Sequence, residues 1–385
     1  MRKLIILILF FCAGSIIGAP FFVFAPQVQA EVTTQELPVL LEGKITAIPS
    51  TETQTYPDGT QTSVQTIEVE IKDGKKVTTT VERLVEDSSF PYEVGNSVVV
   101  SQSDLISGEP TFYINDFVRR PALALAFGLF IFLVLLVARG NGIRALAGLV
   151  TSFAVIFYFI LPYIQEGHDP ITVAIIGSLF IILISFYLTH GFSSKTTVAV
   201  LGTFFALVAT GILAYLFTQM ARLTGFATEE VAFLQTLKGS SFNAKGIMMA
   251  GIIIGTLGVL DDITISQASI VKELIRANPK LGSMQLFARA MNVGKDHIAS
   301  LVNTLVLVYT GTALPLLLLF MDNQFPLIQI INFEVIAEEI VRTLVGSIGL
   351  VLAVPLTTLI AVYWKQLRQE AMHAPEEHEA HGHHH

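Results

Sequence analysis

Two patterns of apolar residues divide this chain. Between residues 31 and 115 β-branched residues recur at every second position among charged and threonine-rich stretches. Val39 to Ile48, Val64 to Ile71, Val77 to Val85 and Val98 to Gln102 read as strands, with Thr111 to Ile114 as a fifth. Thr66, Glu68 and Glu70 alternate with Ile67, Val69 and Ile71, which predicts a sheet with one wet face. Asp73-Gly74 between the second and third strands predicts a hairpin. A segment of about 85 residues with five short strands fits a small all-β domain, an OB-like barrel. No basic, aromatic stripe runs through it, so no nucleic-acid partner is expected.

From Pro121 the pattern changes to long apolar runs with short polar breaks. Seven runs are long enough to cross a bilayer as helices. They are Pro121–Ala138, Ile143–Ile164, Ile171–His190, Thr196–Met220, Gly246–Gln267, His297–Phe320 and Ala337–Trp364. Pro315 and Pro355 are expected to kink the last two. Met284 to Met291, between the fifth and sixth runs, reads as a segment lying along the membrane face. The fold class is therefore mainly α, a polytopic bundle of about seven transmembrane helices behind the β domain.

Composition agrees. Of 385 residues, 52% are hydrophobic and 14% charged, against about 25% charged in a soluble domain. Residues 1–30 read as a secretory signal, or else an uncleaved anchor: Arg2 and Lys3 precede the apolar run Leu4 to Phe11, and Val28-Gln29-Ala30 offers a cleavage site. The single cysteine, Cys12, lies in that leader, so the rest can hold no disulfide or thiolate metal site. The segments are then 1–30 leader, 31–115 extracytoplasmic domain, 116–364 membrane domain and 365–385 tail. With residues 31–115 outside, the inside loops carry Arg139, Arg144, Lys195, Lys272, Arg276, Lys280, Arg289, Lys295, Lys365 and Arg368, while the outside loops carry only Arg222, Lys238 and Lys245. That bias predicts a multi-pass protein of the cell membrane with a cytoplasmic C-terminus; Arg119 and Arg120 go against it. The tail holds His373, His378, His381 and His383 to His385, a pattern that fits a metal-collecting tail or an appended purification tag.

Polar residues inside the apolar runs carry the chemistry. Each costs about 2.5 kcal/mol or more unless it faces protein or water. In the fifth run Gly251, Gly255, Gly258, Asp262 and Ser266 share one helical face, with Asp261 about 100° round the helix and Gln267 beside Ser266. The glycines are expected to pack against a neighbouring helix. In the sixth run Asn292, Asp296, Ser300, Asn303 and Thr310 form a stripe flanked by Thr304. Facing stripes would enclose a wet path or an oxygen-lined cation site. The plainer alternative is that Asn303 and Thr304 bond across helices and that the aspartates cap or pair near the inner interface. In the seventh run Arg342 is expected to snorkel or pair with Glu338.

The run Gly258-Val-Leu-Asp261-Asp262-Ile-Thr-Ile-Ser-Gln267, then Asn278-Pro279, Asn292-Val-Gly294-Lys-Asp296 and Asn303-Thr-Leu-Val-Leu-Val-Tyr309-Thr-Gly311, resembles the YibE/F family of multi-pass membrane proteins. The resemblance covers about residues 120–364. It implies a bacterial integral membrane protein of the kind thought to transport, and some members carry one aspartate where this chain has Asp261-Asp262.

The expected function is transport of a small ion or solute. Asp262 foremost, with Asp261 second, would bind a small cation or proton; Ser266, Gln267, Asn303 and Thr304 would add neutral ligands, and Asn292 and Asp296 would form an inner mouth. The alternative is a membrane-anchored scaffold or sensor whose β domain binds a partner or envelope polymer. An enzyme is not expected: an intramembrane aspartyl protease needs aspartates on two helices, and no phosphate-binding loop is present. Partners are the lipid bilayer and, as an expectation only, a second copy; no cofactor is named by any motif.

Overall fold

The computed structural model describes residues 39–56, 61–72, 74–84, 91–104, 110–239, 242–322 and 326–373. The expected leader and the end of the histidine-rich tail lie outside the described residues. Two compact units meet in sequence at Leu136 and Val137.

The first unit contains one antiparallel sheet of β1 (Val39–Thr55), β2 (Gln61–Ile71), β3 (Lys76–Leu84), β4 (Ser97–Asp104) and β5 (Pro110–Phe117), in the order β3-β2-β1-β4-β5. The alternation read in β2 holds: Ile67, Val69 and Ile71 are buried with Ile45, Val77, Val98 and Val100, while Glu70 is exposed. Gly74 takes φ +77° in the hairpin between β2 and β3. Register shifts at Ala47 bend β1, so that one long strand serves both β2 and β4 and the sheet curls. Its edges touch where Thr79 donates to the Phe112 carbonyl at 2.6 Å, but no ladder joins β3 to β5 among the described residues. In place of the expected OB-like barrel stands a five-stranded curled sheet.

Arg119 and Arg120, which opposed the charge bias, are paired: Arg119 with Asp116 and Arg120 with Glu42, which also takes Lys72 at 3.2 Å. The Lys72 hydrogen bond, more than any other influence, holds the Glu42 carboxyl below its ordinary value of 4.5; burial opposes this, and the Arg120 charge supports it. A depressed carboxyl contributes stability that is present above the ordinary value and lost as pH falls through the folded one. Protection of β1 amides from hydrogen exchange should therefore weaken as pH falls below that ordinary value. E42Q should show the weakened value already at neutral pH. Equal protection in both proteins at neutral pH would mean that the pairing contributes nothing.

The helical unit begins within α1 (Arg120–Val155), which continues through a π turn (Ile156–Ile160) into α2 (Leu161–Gln165). It goes on with α3 (Pro170–His190), α4 (Ser194–Met220), α5 (Glu229–Lys238), α6 (Ala244–Ala277), α7 (Ser283–Thr312), α8 (Leu314–Asp322), α9 (Leu327–Ile330), α10 (Glu334–Tyr363) and α11 (Lys365–His373). Among the described residues, five helices are long and apolar enough to cross a membrane, or six if α7 and α8, bent by 64° at a break, count as one span. The break falls at Ala313, two residues before Pro315. The difference from seven lies in α1: the first two predicted spans form one 46-residue stretch, interrupted where Arg139 leaves helical geometry at φ 50°, ψ −126°. Met284 to Met291 forms the first part of α7.

The centre of this unit is a tight triangle of α4, α6 and α10. A Cβ at Gly202 would stand 2.1 Å from Thr357 Oγ1, and one at Gly349 would stand 2.1 Å from Thr210 Oγ1. Thr203 and Thr264 hydroxyls join α4 to α6 at 2.7 Å. Thr203, Thr210 and Thr264 also lie within hydrogen-bond reach of carbonyls of their own helices, and their small size lets backbones approach, whereas the buried Thr357 hydroxyl has no partner. Thr256 beside Gly346 and Gln267 bonded to Thr358 show that α6 and α10 run in the same direction. The two ends are braced. Glu334 accepts from the Thr224 amide and hydroxyl and from the Gly225 amide at one end. At the other, α11 lays Arg368 on the Pro279 and Leu281 carbonyls (3.0 and 2.8 Å) and Glu370 on the Ser194 hydroxyl (2.6 Å).

Candidate functional site

Asp261 lies near the middle of α6, which runs on for about four turns beyond it to Ala277. A role as a helix cap is thereby excluded. Its neighbour Leu260 is fully buried, and the backbone turn carries Asp261 toward α3 and the second half of α1. There it lines a cavity of about 160 Å³ with Ser152, Ile156, Ser185, Phe186, Leu257 and Gly258. Asp261 Oδ1 is buried and has no hydrogen-bond partner, and no ion pair reaches it among the described residues.

Local sequence explains the shape of this cavity. Gly148 brings α1 close to α3, since a Cβ there would meet Thr189 Oγ1 at 2.7 Å and Ser185 Oγ at 3.0 Å. Ser152 follows one turn later, its hydroxyl donating to the Gly148 carbonyl at 3.0 Å. The π turn then widens the helix, with Ile156 on the cavity wall and Ile160 pressed against Gly177 of α3. Such insertions recur at functional sites because they re-aim side chains that a regular helix would stack. The result is a mostly apolar chamber with one carboxylate and two hydroxyls.

The other residues singled out from the sequence are placed differently. Asp262 is exposed, and it and Lys195 are the charged groups that act on His190 at the end of α3. Ser266 is half-buried. Gln267 is fully buried and ties three helices together, its amide nitrogen donating to the Ala290 carbonyl (3.1 Å) and Thr358 Oγ1 (2.7 Å). Asn292, Asp296, Asn303 and Thr304 are exposed, and none of them lines the cavity. The reason is the face that α7 buries. Leu286, Ala290 and Gly294 recur every fourth residue and seat α7 on α6 and α10, which turns Asn292 and Asp296 away. Thr304 donates to the Ser300 carbonyl of its own helix.

The glycine stripe also differs from expectation. A Cβ at Gly251 or Gly258 would meet nothing within 4 Å among the described residues, and one at Gly255 would meet only the Tyr309 hydroxyl, at 3.2 Å. Close packing uses Gly202, Gly346 and Gly349 instead. In α10, Arg342 pairs with Glu339 at 2.9 Å rather than with Glu338.

Sequence reading missed Ser152 and Ser185, and it took Glu338 only as a partner for Arg342. Single serines in apolar spans satisfy themselves on their own helix, as Ser152 does, so nothing in the sequence distinguished these two. Among the described residues no group of three or more His, Cys, Asp or Glu side chains could hold a metal ion.

A family model described as YibE/F-like protein matches residues 126–366, well over half of the chain. No curated protein and no solved structure matches it.

Proposed function

This chain belongs to the YibE/F-like proteins, membrane-type by their apolar helices, and on that footing we propose that it transports a small ion or solute through the α1–α3–α6 cavity. One observation carries the reading: a carboxylate without a partner, buried among apolar helices beside two serine hydroxyls. An anion so placed is costly unless a cation or proton meets it. The chamber has room for a few waters or a small ion, which favours a small cargo. Asp261 is the binding group, with the Ser152 and Ser185 hydroxyls as neutral oxygens. Protonation of Asp261 releases a bound cation. Asp262, His190 and Lys195 form the charged approach to it.

The same reading takes the break at Arg139 as the turn between two spans, making seven, with the β unit outside as an OB-like module and α11 in the cytoplasm. The loop charges support this orientation. The plasma membrane is the proposed location.

Reconstitution into liposomes tests the proposal, with imposed gradients of protons (followed by a trapped pH-sensitive dye), sodium or potassium as probes. The wild-type chain should dissipate at least one gradient. D261N should slow that flux by about tenfold or more, and D262N by less. Undiminished flux in D261N would remove Asp261 from the mechanism. Absence of flux with every probe would favour the anchored scaffold.

A further inference from the structure

The end of the helical unit opposite α11 contains a second acid that the cavity does not use. Glu338 lies one turn into α10 and is 5% exposed, and its Oε1 is buried with no hydrogen-bond partner. Most of the groups around it are committed elsewhere, although the buried Arg342 Nε has no partner. Glu334, one turn earlier, already accepts from the Thr224 amide and hydroxyl and from the Gly225 amide. Arg342, one turn later, gives its guanidinium to Glu339 at 2.9 Å. The charged groups that act on Glu338 are Glu334, Arg342 and Glu339, all on its own helix; from the 223–225 turn only the Gly225 amide reaches it. Its flanking residues Ala337 and Val341 pack on the apolar cluster of Ala214, Leu223, Met248, Met249, Ile252 and Val345.

Apart from the Gly225 amide, which Glu334 also takes, nothing in this packing calls for a carboxyl. A leucine would fill the same space and leave no orphan oxygen. A lone buried carboxylate with a second one a turn away is relieved by one ligand that needs a single oxygen, a proton; a metal cation needs several more oxygens than this site offers. Position adds to the argument. The contacts of Thr256 with Gly346 and of Gln267 with Thr358 set Asp261 level with residue 351 of α10, about 13 residues or about 20 Å from Glu338 along the bundle. The two carboxyls, each with one buried oxygen that has no partner, thus occupy different depths.

We propose that Glu338 is a proton-exchange site at the end of the bundle formed by the 223–225 turn and the start of α10, so that the cargo of Asp261 moves in exchange with, or together with, protons taken up there. The use of that proton rests on the transport reading above; its binding at Glu338 does not.

The test is chemical. A lipid-soluble carbodiimide, dicyclohexylcarbodiimide, reacts with carboxyls that carry a proton in apolar surroundings. The carboxyl proton passes to a carbodiimide nitrogen, the carboxylate oxygen adds to the central carbon, and the adduct rearranges to a stable N-acylurea with nothing leaving. The full chain in liposomes is treated from about pH 6 to about pH 9, and the site is located by fragmentation mass spectrometry. Glu338 should be modified several-fold more than Glu334 or Glu339, less as pH rises, and to the same extent in D261N. E338Q should lose the modification and, in the liposome assay, the dependence of flux on pH at that face. Absence of adduct at Glu338, or modification no greater than at Glu334 and Glu339, overturns the proposal. A D261N flux defect seen alongside an unmodified Glu338 sinks this inference and keeps the transport reading. The reverse pair of results does the opposite.

Discussion

Gly202→Val should leave the helical unit unable to assemble, while Gly251→Ala should leave it intact. Both positions lie in apolar helices and look alike in sequence. At Gly202, however, a Cβ would stand 2.1 Å from Thr357 Oγ1, 2.9 Å from its Cβ and 3.2 Å from its Cα. The last of these is backbone, so no rotamer change relieves the clash, and α4 would have to separate from α10. Overpacking in a well-filled core costs about 1–3 kcal/mol even where side chains can yield. Here two branches of valine meet a helix that is also held by Thr210 against Gly349 and by Gln267 against Thr358. At Gly251 a methyl meets nothing within 4 Å among the described residues, and alanine favours the helix by up to about 1 kcal/mol. Stepwise heating of detergent-solubilised protein, with the folded fraction read by size exclusion, compares the two. A loss at Gly251→Ala as deep as at Gly202→Val would mean that the Gly251 stripe packs against a surface outside the described contacts, such as a second copy.

Asp261→Leu should raise the thermal midpoint and, on the transport reading proposed above, abolish flux in the same protein. An unpaired buried carboxylate costs several kcal/mol, and Oδ1 has no partner. Leucine removes that charge and fills part of a cavity of about 160 Å³. The expected gain is on the order of 1–3 kcal/mol, the size typical when a functional group is traded for packing. Asp261→Asn keeps the shape and leaves a polar orphan, so its midpoint should move little while its flux falls. The pair separates two roles. If leucine lowers the midpoint, the carboxylate is part of what holds the bundle together, and the argument from its isolation fails.

Much of the architecture was legible because it follows from period and solvent. Strand alternation from Ile67 to Ile71 and the Asp73-Gly74 turn marked the sheet. Long apolar runs marked the spans, since backbone groups in lipid must be satisfied within a helix. The span count was less secure, because the stretch around Arg139 to Asn141 is too short to separate one broken helix from two. The site was legible only as the pair Asp261-Asp262, which stood out by cost; the sequence put Asp262 first, and it is Asp261 that lines the cavity. Its partners did not stand out, because serine is cheap anywhere in a helix.

What the sequence determined by itself is therefore the class of the protein, its two-part organisation and the presence of an expensive carboxylate in α6, all properties of single segments measured against water or lipid. Only the tertiary structure decided which glycines pack, that Asp261 rather than Asp262 faces inward, that Asn303 and Thr304 turn away, and that Arg342 chooses Glu339 and leaves Glu338 alone. Those choices depend on which face each helix buries, and a helix with apolar residues on every side does not declare that face until its neighbours are in place.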